Sequence, residues 1–286
     1  MAQAQKLAGY EKYQHFVVTC PSTFVAHVEI NRPSKLNAFF DAMWLEMRQV
    51  FTQLSSDPDV RAVVLSGAGD RAFTAGLDVT AASQNGVLSN DEGLDGARKS
   101  ARLRRYIAEF QDCISAVERC EKPVICVMHG ISIGLAIDIS TCADVRVCSR
   151  DVRFAVKEVD IGLAADIGTL ARLPKVVGSQ SWVRDVCLTA RDFGAAEALQ
   201  VGFVSAVHDS KAAALAAAVK LAAFIATKSP VAVQGTKELL NHSRDHTVAD
   251  NLRYTGVWNS ATLQTNDVAA ALLSGMQKRK PTFEKL

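Results

Sequence analysis

The chain has 286 residues, 49% of them hydrophobic, which suffices for one large domain or for one domain with a smaller appendage. Thirty-two basic residues against 30 acidic ones leave a formal charge of +2, too small a charge to favour nucleic acid or an anionic membrane surface. Because no apolar run reaches the roughly 18 residues of a membrane span, we expect no such span and seek partners at local sites.

The seven cysteines are scattered from Cys20 to Cys187, mostly inside apolar runs. They form no C-x-x-C pair, and no histidine stands at metal-ligand spacing from any of them. We therefore expect reduced core thiols and no structural zinc.

Short Val-rich runs and amphipathic segments alternate along the first two thirds of the chain. Predicted strands are HFVVTC, FVAHVEI and RAVVLSG, with a helix from Ala38 to Leu54 between the second and the third. A second cycle has a basic helix from 97 to 119, then KPVICVM, a glycine turn, ADVRVCS and RFAVKE. This alternation predicts an α/β fold with much of its sheet buried.

After His208 the composition changes to alanine-rich segments such as AAALAAAVKLAAFIA. Pro230 suits the first turn of a helix, and Ser229 before it suits the N-cap. The sequence therefore predicts a boundary near residue 205, with an α/β core containing the active site in 1–205 and a helical region in 206–286. Apolar helices of this kind often pack on another subunit.

Three short motifs have simpler explanations beside functional ones. GISIG, Gly130 to Gly134, matches the G-x-S-x-G turn of serine hydrolases, with Ser132 as nucleophile and His208 completing a triad; the alternative is a tight turn without chemistry. GAGDRA at 67–72 resembles a dinucleotide motif but opens no helix, so a surface turn explains it better. The basic stretch Arg98 to Arg105 suits RNA or phosphate, and a solvated helix face is the simpler interpretation.

Three carboxylates lie in apolar segments: Asp138 in GLAIDIS, Glu158 in FAVKEVDIG and Asp166 in GLAADIG. A buried ionised carboxylate without partners is costly, so such groups are usually paired, protonated or functional. Apolar surroundings also raise the pKa of a carboxyl group, which lets one acid give and another take a proton near neutral pH. Asp144 and Asp160 are instead expected to be caps or salt-bridge partners.

Glycine turns recur beside these acids, at 75–78 and at 130–134. Such turns can aim backbone N–H groups at one point, as an oxyanion hole requires. The residues by themselves therefore indicate an enzyme that performs acid/base chemistry on an activated carbonyl group.

From about Asn31 to Val207 the chain resembles the enoyl-CoA hydratase/isomerase (crotonase) superfamily, and within it the Δ3,5-Δ2,4-dienoyl-CoA isomerases. The resemblance rests on NRPSKLNA, RAVVLSGAGDRAFTAGLD, KPVICVMHGISIG, CADVRV and KEVDIGLAADIGTLARLPKVVG. Hydratases of the family have glutamates at the positions of Asp138 and Glu158, and a glycine at that of Asp166. The pattern Asp, Glu, Asp looks like the dienoyl-CoA isomerases.

The resemblance implies isomerisation of 3,5-dienoyl-CoA to 2,4-dienoyl-CoA in fatty acid β-oxidation. Glu158 would take the C2 proton and Asp166 would supply the C6 proton, because these atoms are too far apart for one carboxylate. Asp138 would tune or orient them, and the backbone N–H groups of Leu77 and Leu135 would hold the dienolate oxygen. The alternatives are an enoyl-CoA hydratase, a Δ3,Δ2-enoyl-CoA isomerase, the serine hydrolase and a non-catalytic RNA-binding module.

The resemblance further implies a spiral of ββα units with a C-terminal helical region, assembled as a homotrimer or hexamer. Coenzyme A would bind as part of the substrate, with no metal and no separate cofactor. The residues implied in substrate binding are Lys35, Leu36, Asn37, Ala75, Gly76, Leu77, Asp78, Val79 and Gly134.

Leu135 departs from the family, which usually has three consecutive glycines at 134–136. Its amide can still donate, provided that the side chain points away from the thioester. At the end of the chain, Glu284, Lys285 and Leu286 share two of three residues with the peroxisomal signal SKL. This favours a peroxisomal location, with the mitochondrion as the alternative.

Overall fold

The computed structural model describes residues 5–81 and 93–286, whose strands form two sheets. The strands are β1 (Gln5–Lys6), β2 (Phe16–Ser22), β3 (Val25–Ile30), β4 (Ala62–Gly67), β5 (Ala72–Thr74), β6 (Val124–Met128), β7 (Ile131–Ile133), β8 (Val145–Ser149), β9 (Arg153–Ala155), β10 (Phe193–Gly194) and β11 (Ala206–His208). The larger sheet has the order β1-β2-β3-β4-β6-β8-β11, and the smaller has the order β10-β9-β7-β5.

Successive strand pairs divide themselves between the two sheets. In β4/β5, β6/β7 and β8/β9 the first strand joins the larger sheet and the second joins the smaller one. Neighbours within each series are parallel, from β3 through β4, β6 and β8 to β11, and from β5 through β7 to β9. The chain therefore winds as a spiral, and the predicted α/β class is confirmed.

Helices connect the strands and continue beyond them. They are α1 (Asp41–Ser56), α2 (Gly96–Arg119), α3 (Leu135–Thr141), α4 (Thr169–Val176), α5 (Gln180–Thr189), α6 (Ala195–Gln200), α7 (Lys211–Ala226), α8 (Pro230–Asp245), α9 (Val248–Thr262) and α10 (Asn266–Met276). Short 3-10 helices cover Pro33–Lys35 and Glu158–Ile161.

The larger sheet is covered on both faces, which explains why its central strands are continuous apolar runs. Every residue of β4 and β6 is buried. One face packs on α1 and α2 through apolar side chains that recur at helical spacing, such as Met43, Met47 and Val50. The other face packs on α7.

Helix α7 meets the sheet through alanines spaced four residues apart, which form one stripe along the helix. The stripe consists of Ala214, Ala218, Ala222 and Ala226, and it contacts Val64, Ile125 and Val127. Because β11 also pairs with β8, the α/β core continues past residue 205, where the composition predicted a boundary. A purely helical region begins only with α8.

Helix α8 is capped by a serine and is fixed to this core by a buried lysine. Ser229 caps α8, its Oγ accepting from the N–H of Ala232 at 3.2 Å, as the sequence predicted. On the same helix, the buried Lys237 Nζ lies 2.8 Å from Asp144 Oδ2. Asp144 is therefore a salt-bridge partner as expected, although its partner is a distant lysine.

Many apolar side chains of α8, α9 and α10 are nevertheless exposed: Leu240, Val248, Leu252, Val257, Leu272 and Met276, as is Leu263 directly after α9. Among the described helices, none by itself has the length and apolarity to cross a membrane; α7 and α8 satisfy that test only as a pair bent by 112°.

Ala218→Leu tests the alanine stripe, because the site is only 1% exposed and has no room for three more carbon atoms. We expect this substitution to lower the free energy of unfolding by about 1–3 kcal/mol through overpacking. Urea unfolding of the two proteins measures the difference. The matched control is Ala216→Leu on the exposed face of the same helix, and equal midpoints for both variants would contradict the packing described.

Candidate active site

Two glycine turns meet where the parallel strands β5 and β7 end. Gly76 and Gly134 have φ values of 89° and 56°. A Cβ on Gly76 would lie 3.0 Å from the oxygen of Ile133 and 3.5 Å from the nitrogen of Leu135. A Cβ on Gly134 would lie 3.4 Å from Glu158 Oε1. Glycine suits both positions, because its positive φ is strained for other residues and a Cβ at Gly76 would press on the Ile133 carbonyl.

Each turn presents an uncommitted backbone amide. Neither the N–H of Leu77 nor that of Leu135 donates a hydrogen bond within the part of the chain that the structure describes. The peptide groups beside Leu77 are fixed, since Phe39 N donates to Gly76 O and Asp78 N donates to Phe39 O, both at 2.8 Å. Leu135 begins α3, whose N-terminus carries partial positive charge. The two amides can stabilise a carbonyl oxygen as it becomes negative.

The side chain of Leu135 lies in the protein interior. It is 5% exposed and belongs to the main hydrophobic core. The departure from the usual glycine thus adds a core side chain while leaving the backbone N–H in place.

Asn37 organises the segment before β5. The residue is 0% exposed. Its Nδ2 donates to the carbonyl oxygens of Ala68 and Ala72, both at 2.9 Å, and its Oδ1 accepts from Arg32 N at 2.9 Å. Both amide hydrogens and the carbonyl oxygen are engaged, so the side chain has a structural role, and the substrate contact implied by the resemblance stays a prediction.

Asp78 is likewise engaged by the protein. Arg32 Nη1 lies 2.8 Å from Asp78 Oδ2, and this hydrogen bond holds the pKa of Asp78 below its ordinary value. The same Nη1 reaches the oxygen of Ala38 at 2.8 Å, which fixes the loop that carries Leu77. The other residues implied in substrate binding lie at an open edge, where Lys35 and Val79 are exposed and Leu36, Ala75 and Leu77 are half-buried.

Asp138 is a buried acid on α3, 2% exposed. Its Oδ1 accepts from the backbone N of Thr169 at 2.6 Å and from Thr169 Oγ1 at 2.8 Å. Burial raises the pKa of Asp138 to about 6, although these two bonds and the charge of Arg172 act in the opposite direction.

Glu158 begins the 3-10 helix Glu158–Ile161, beyond the end of β9 at Ala155, where the sequence predicted a continuing strand. Its Oε2 is buried and accepts no hydrogen bond from the described residues. Burial raises the pKa of Glu158 to about 7, and the charge of Asp138 is the next cause. A carboxyl group with such a pKa and an uncommitted oxygen can act as a general base near neutral pH.

Asp166 lies in the loop before α4 and is exposed, which differs from the apolar burial expected for all three acids. Partial desolvation of its carboxyl group nevertheless raises its pKa. The residue lines a cavity of about 390 Å³, together with Gln111, Ser115, Leu170, Arg172, Lys175 and Arg244.

The structure thus brings together the three predicted acids from three separate elements. The charge of Asp166 raises the pKa of both Asp138 and Glu158, and the charge of Asp138 raises that of Glu158. Their surroundings differ from fully buried to open, which lets them hold protons differently at one pH.

Sequence reasoning missed two contributors to this site. One is Thr169, which holds Asp138. The other is the ion pair between Arg172 Nη2 and Glu118 Oε2, 3.0 Å apart, which lies behind the contact of Thr169 with Asp138. The available signal was the run Gly168-Thr169, which begins two residues after Asp166.

The other motifs take their simpler interpretations. Ser132 is buried, and its hydroxyl donates to the oxygen of His129 at 3.2 Å, without a histidine ring nitrogen as its acceptor in the described residues. Residues 68–71 form the connection between β4 and β5, with no helix. The charged residues from Arg98 to Arg105 lie on the exposed face of α2.

A spiral of ββα units with paired free amides and clustered acids defines a class of enzymes that act on thioesters, and comparison with known proteins agrees. Residues 22–285 match the family model described as enoyl-CoA hydratase/isomerase. The chain therefore belongs to the enoyl-CoA hydratase/isomerase family, and the resemblance stated from its motifs is confirmed.

Similar proteins with more specific names are found within that family. A Homo sapiens protein named mitochondrial Δ(3,5)-Δ(2,4)-dienoyl-CoA isomerase is 46% identical over 277 residues, which are 96% of this chain and 84% of the relative. An Arabidopsis thaliana protein named peroxisomal Δ(3,5)-Δ(2,4)-dienoyl-CoA isomerase is 43% identical, covering 92% and 93%. A crystal structure of a Bacillus anthracis enoyl-CoA hydratase shares the fold, with a TM-score of 0.84 at 24% identity, covering 95% and 99%.

Gly76→Ala tests the close approach of the two turns, because the new Cβ must displace the Ile133 carbonyl or the Leu77 amide. We expect kcat for a CoA thioester substrate to fall by about 10²–10³-fold, as when one oxyanion donor is lost. The control is Gly202→Ala, since Gly202 has a similar φ of 80° but nothing within 4 Å of its Cβ. An equal loss of kcat in both variants would show that backbone strain causes the effect. It would contradict the close approach of the two turns as the cause.

Proposed function

We propose that this protein isomerises 3,5-dienoyl-CoA to 2,4-dienoyl-CoA in fatty acid β-oxidation. The observation that carries the proposal is the third acid. Asp166 stands beside the pair Asp138 and Glu158, and its charge affects both of them. The identity of 43–46% with relatives named for this reaction supports the same conclusion.

The first step is proton removal at C2. The thioester oxygen lies between the N–H groups of Leu77 and Leu135, which stabilise the negative charge that develops on it. Glu158 takes the C2 proton through a carboxylate oxygen that no described residue binds. The electron pair of the broken C–H bond is delocalised over the diene and the carbonyl group as a dienolate.

The second step is proton delivery at C6. Asp166, which lines the cavity, donates its proton to C6, and both double bonds move by one carbon. Glu158 then holds one additional proton and Asp166 lacks one, so exchange with solvent restores the enzyme. No redox change occurs, and coenzyme A remains attached throughout.

We also propose self-association as a homotrimer or hexamer. The exposed apolar side chains of α8 to α10 support this, because large apolar areas of this kind are usually covered by another subunit.

For the cellular location we propose the peroxisome, with the mitochondrion as alternative. The terminal Glu284-Lys285-Leu286 and the name of the Arabidopsis thaliana relative support the first, and the name of the human relative supports the second.

Asp166→Asn tests the assignment of the C6 acid. The purified protein is mixed with a 3,5-dienoyl-CoA, and the absorbance of the conjugated product is followed. We expect turnover by the unmodified protein and a kcat about 10²–10⁴-fold lower in the variant, because the proton donor is lost.

The matched control for this substitution is Asp160→Asn, which changes an exposed aspartate paired with Lys157 and should keep the rate. Full activity of Asp166→Asn would contradict the assignment. Absence of dienoyl-CoA turnover together with faster hydration of crotonyl-CoA would identify a hydratase.

A second prediction concerns the pH dependence of the base. In Asp166→Asn, hydrogen exchange between C2 and heavy water should continue although isomerisation stops. Glu158 accepts a proton only when ionised, so exchange is lost as pH falls through its pKa. That pKa is about 7, or somewhat lower once the Asp166 charge is removed. Mass spectrometry of the thioester across pH measures the midpoint.

Glu158→Gln in the same background should abolish this exchange, because the amide cannot take the proton. A midpoint near the ordinary glutamate pKa of about 4.3 would show that Glu158 is not desolvated in solution.

A further inference from the structure

Asp138 is held by the protein through one of its two oxygens. Both bonds to Oδ1 come from Thr169, the backbone N at 2.6 Å and Oγ1 at 2.8 Å. Within the described residues, no hydrogen bond reaches Oδ2. A single residue therefore fixes the orientation of the most buried acid in the site.

Thr169 is itself firmly placed. It is 0% exposed and is the first residue of α4, so its backbone N–H is one that the helix leaves unpaired. The Asp138 carboxylate satisfies that N–H in the manner of a helix cap, although it comes from a different helix. Two donors on one oxygen and the positive end of α4 favour the ionised carboxylate.

A partly buried ion pair supports α4 from the other side. Arg172 lies one turn after Thr169, and its Nη2 is 3.0 Å from Glu118 Oε2 on α2. Gly168 lies between the Arg172 guanidinium and Asp138, and a Cβ there would overlap the guanidinium and lie 3.7 Å from Asp138 Oδ1. The positive charge of Arg172 also favours the ionised form of Asp138.

The protonation of Asp138 depends on all the charged and titratable groups around it. Arg172 favours its ionisation, Asp166 opposes it, and Asp138 in turn opposes ionisation of Glu158. The nearby thiols of Cys142 and Cys187 have raised pKa values, mainly through burial, and stay neutral. Further groups in the network are Glu118 and Arg244.

We infer that Thr169 is a positioning residue, which keeps Asp138 as a fixed anion next to Glu158 so that Asp138 tunes the base and transfers no proton itself. The inference rests on the proposed isomerase mechanism and deepens it. It adds Thr169 as the residue that holds Asp138 in its tuning role.

Without the Thr169 hydroxyl, Glu158 would be a weaker base. Loss of the Thr169 hydroxyl removes a bond to the charged form of Asp138, so the pKa of Asp138 rises from about 6. At neutral pH more of Asp138 is then protonated, and its charge no longer raises the pKa of Glu158. Glu158 becomes ionised at lower pH and is a weaker base.

The test compares Thr169→Val, which keeps the shape but lacks the hydroxyl, with Thr169→Ser, which keeps the hydroxyl. Infrared titration of the resting protein follows the carboxyl band of Asp138, assigned by its loss in Asp138→Asn. In Thr169→Val we expect the titration of this band to move up by about one pH unit. Thr169→Ser should bring it back toward the unmodified protein.

Kinetics give a second readout. In Thr169→Val, the midpoint of C2 exchange, measured in the Asp166→Asn background, should move to lower pH and its plateau rate should fall by about tenfold. KM should stay unchanged, because Thr169 is not among the residues implied in substrate binding and is fully buried. Thr169→Ser should recover both quantities.

Equal Asp138 titrations in the Val and Ser variants would overturn the inference, as would a lower rate with no shift of the exchange midpoint. Should Thr169→Val not fold, Thr169→Ala removes the same hydroxyl and is read in the same way. The infrared titration needs no turnover, so it tests the role of Thr169 even in a protein without dienoyl-CoA activity. Absence of that activity would overturn only the proposed function.

Discussion

The site depends on the close approach of two backbone turns that tolerate no side chain at their contact. A Cβ on Gly76 would touch the carbonyl of Ile133, and a Cβ on Gly134 would approach Glu158. The same closeness supports our proposal that the amides of Leu77 and Leu135 face one point, with Glu158 as the base beside them. Asn37 and Arg32 support this approach from behind, because Asn37 binds the carbonyl oxygens of Ala68 and Ala72, which precede the first turn, and Arg32 binds Asp78 within it.

Around this fixed backbone, the three acids differ mainly in their exposure to solvent. Asp138 is buried and held by Thr169, Glu158 is partly buried with one uncommitted oxygen, and Asp166 faces a cavity. One carboxylate raises the pKa of the next, so the base is adjusted by its neighbour as well as by burial. The proposed shift of two double bonds between C2 and C6 needs this difference in solvent exposure and pKa among the three acids. One acid must be ionised while another is protonated.

Much of the fold was readable from the sequence, because strands buried on both faces are continuous Val-rich runs and α1 carries a regular apolar stripe. The three acids were also readable, since carboxylates in apolar runs stand out. The boundary at 205 was misplaced because an alanine-rich helix has the same composition whether it covers a sheet or stands apart. The roles of Asn37 and Thr169 were not readable, since small polar residues become informative only when their hydrogen-bond partners, distant in sequence, are known.

The spiral path of the chain has a consequence for how the protein is made. Each strand of the parallel series finds its next neighbour only after a long excursion, as β4 pairs with β6 across the whole of α2. Leu77 leaves the ribosome well before Leu135, and Asp166 follows both. A nascent chain therefore passes through a long interval in which its apolar strands exist without partners, and catalytic competence arrives late, close to the moment when β11 and α7 close the sheet.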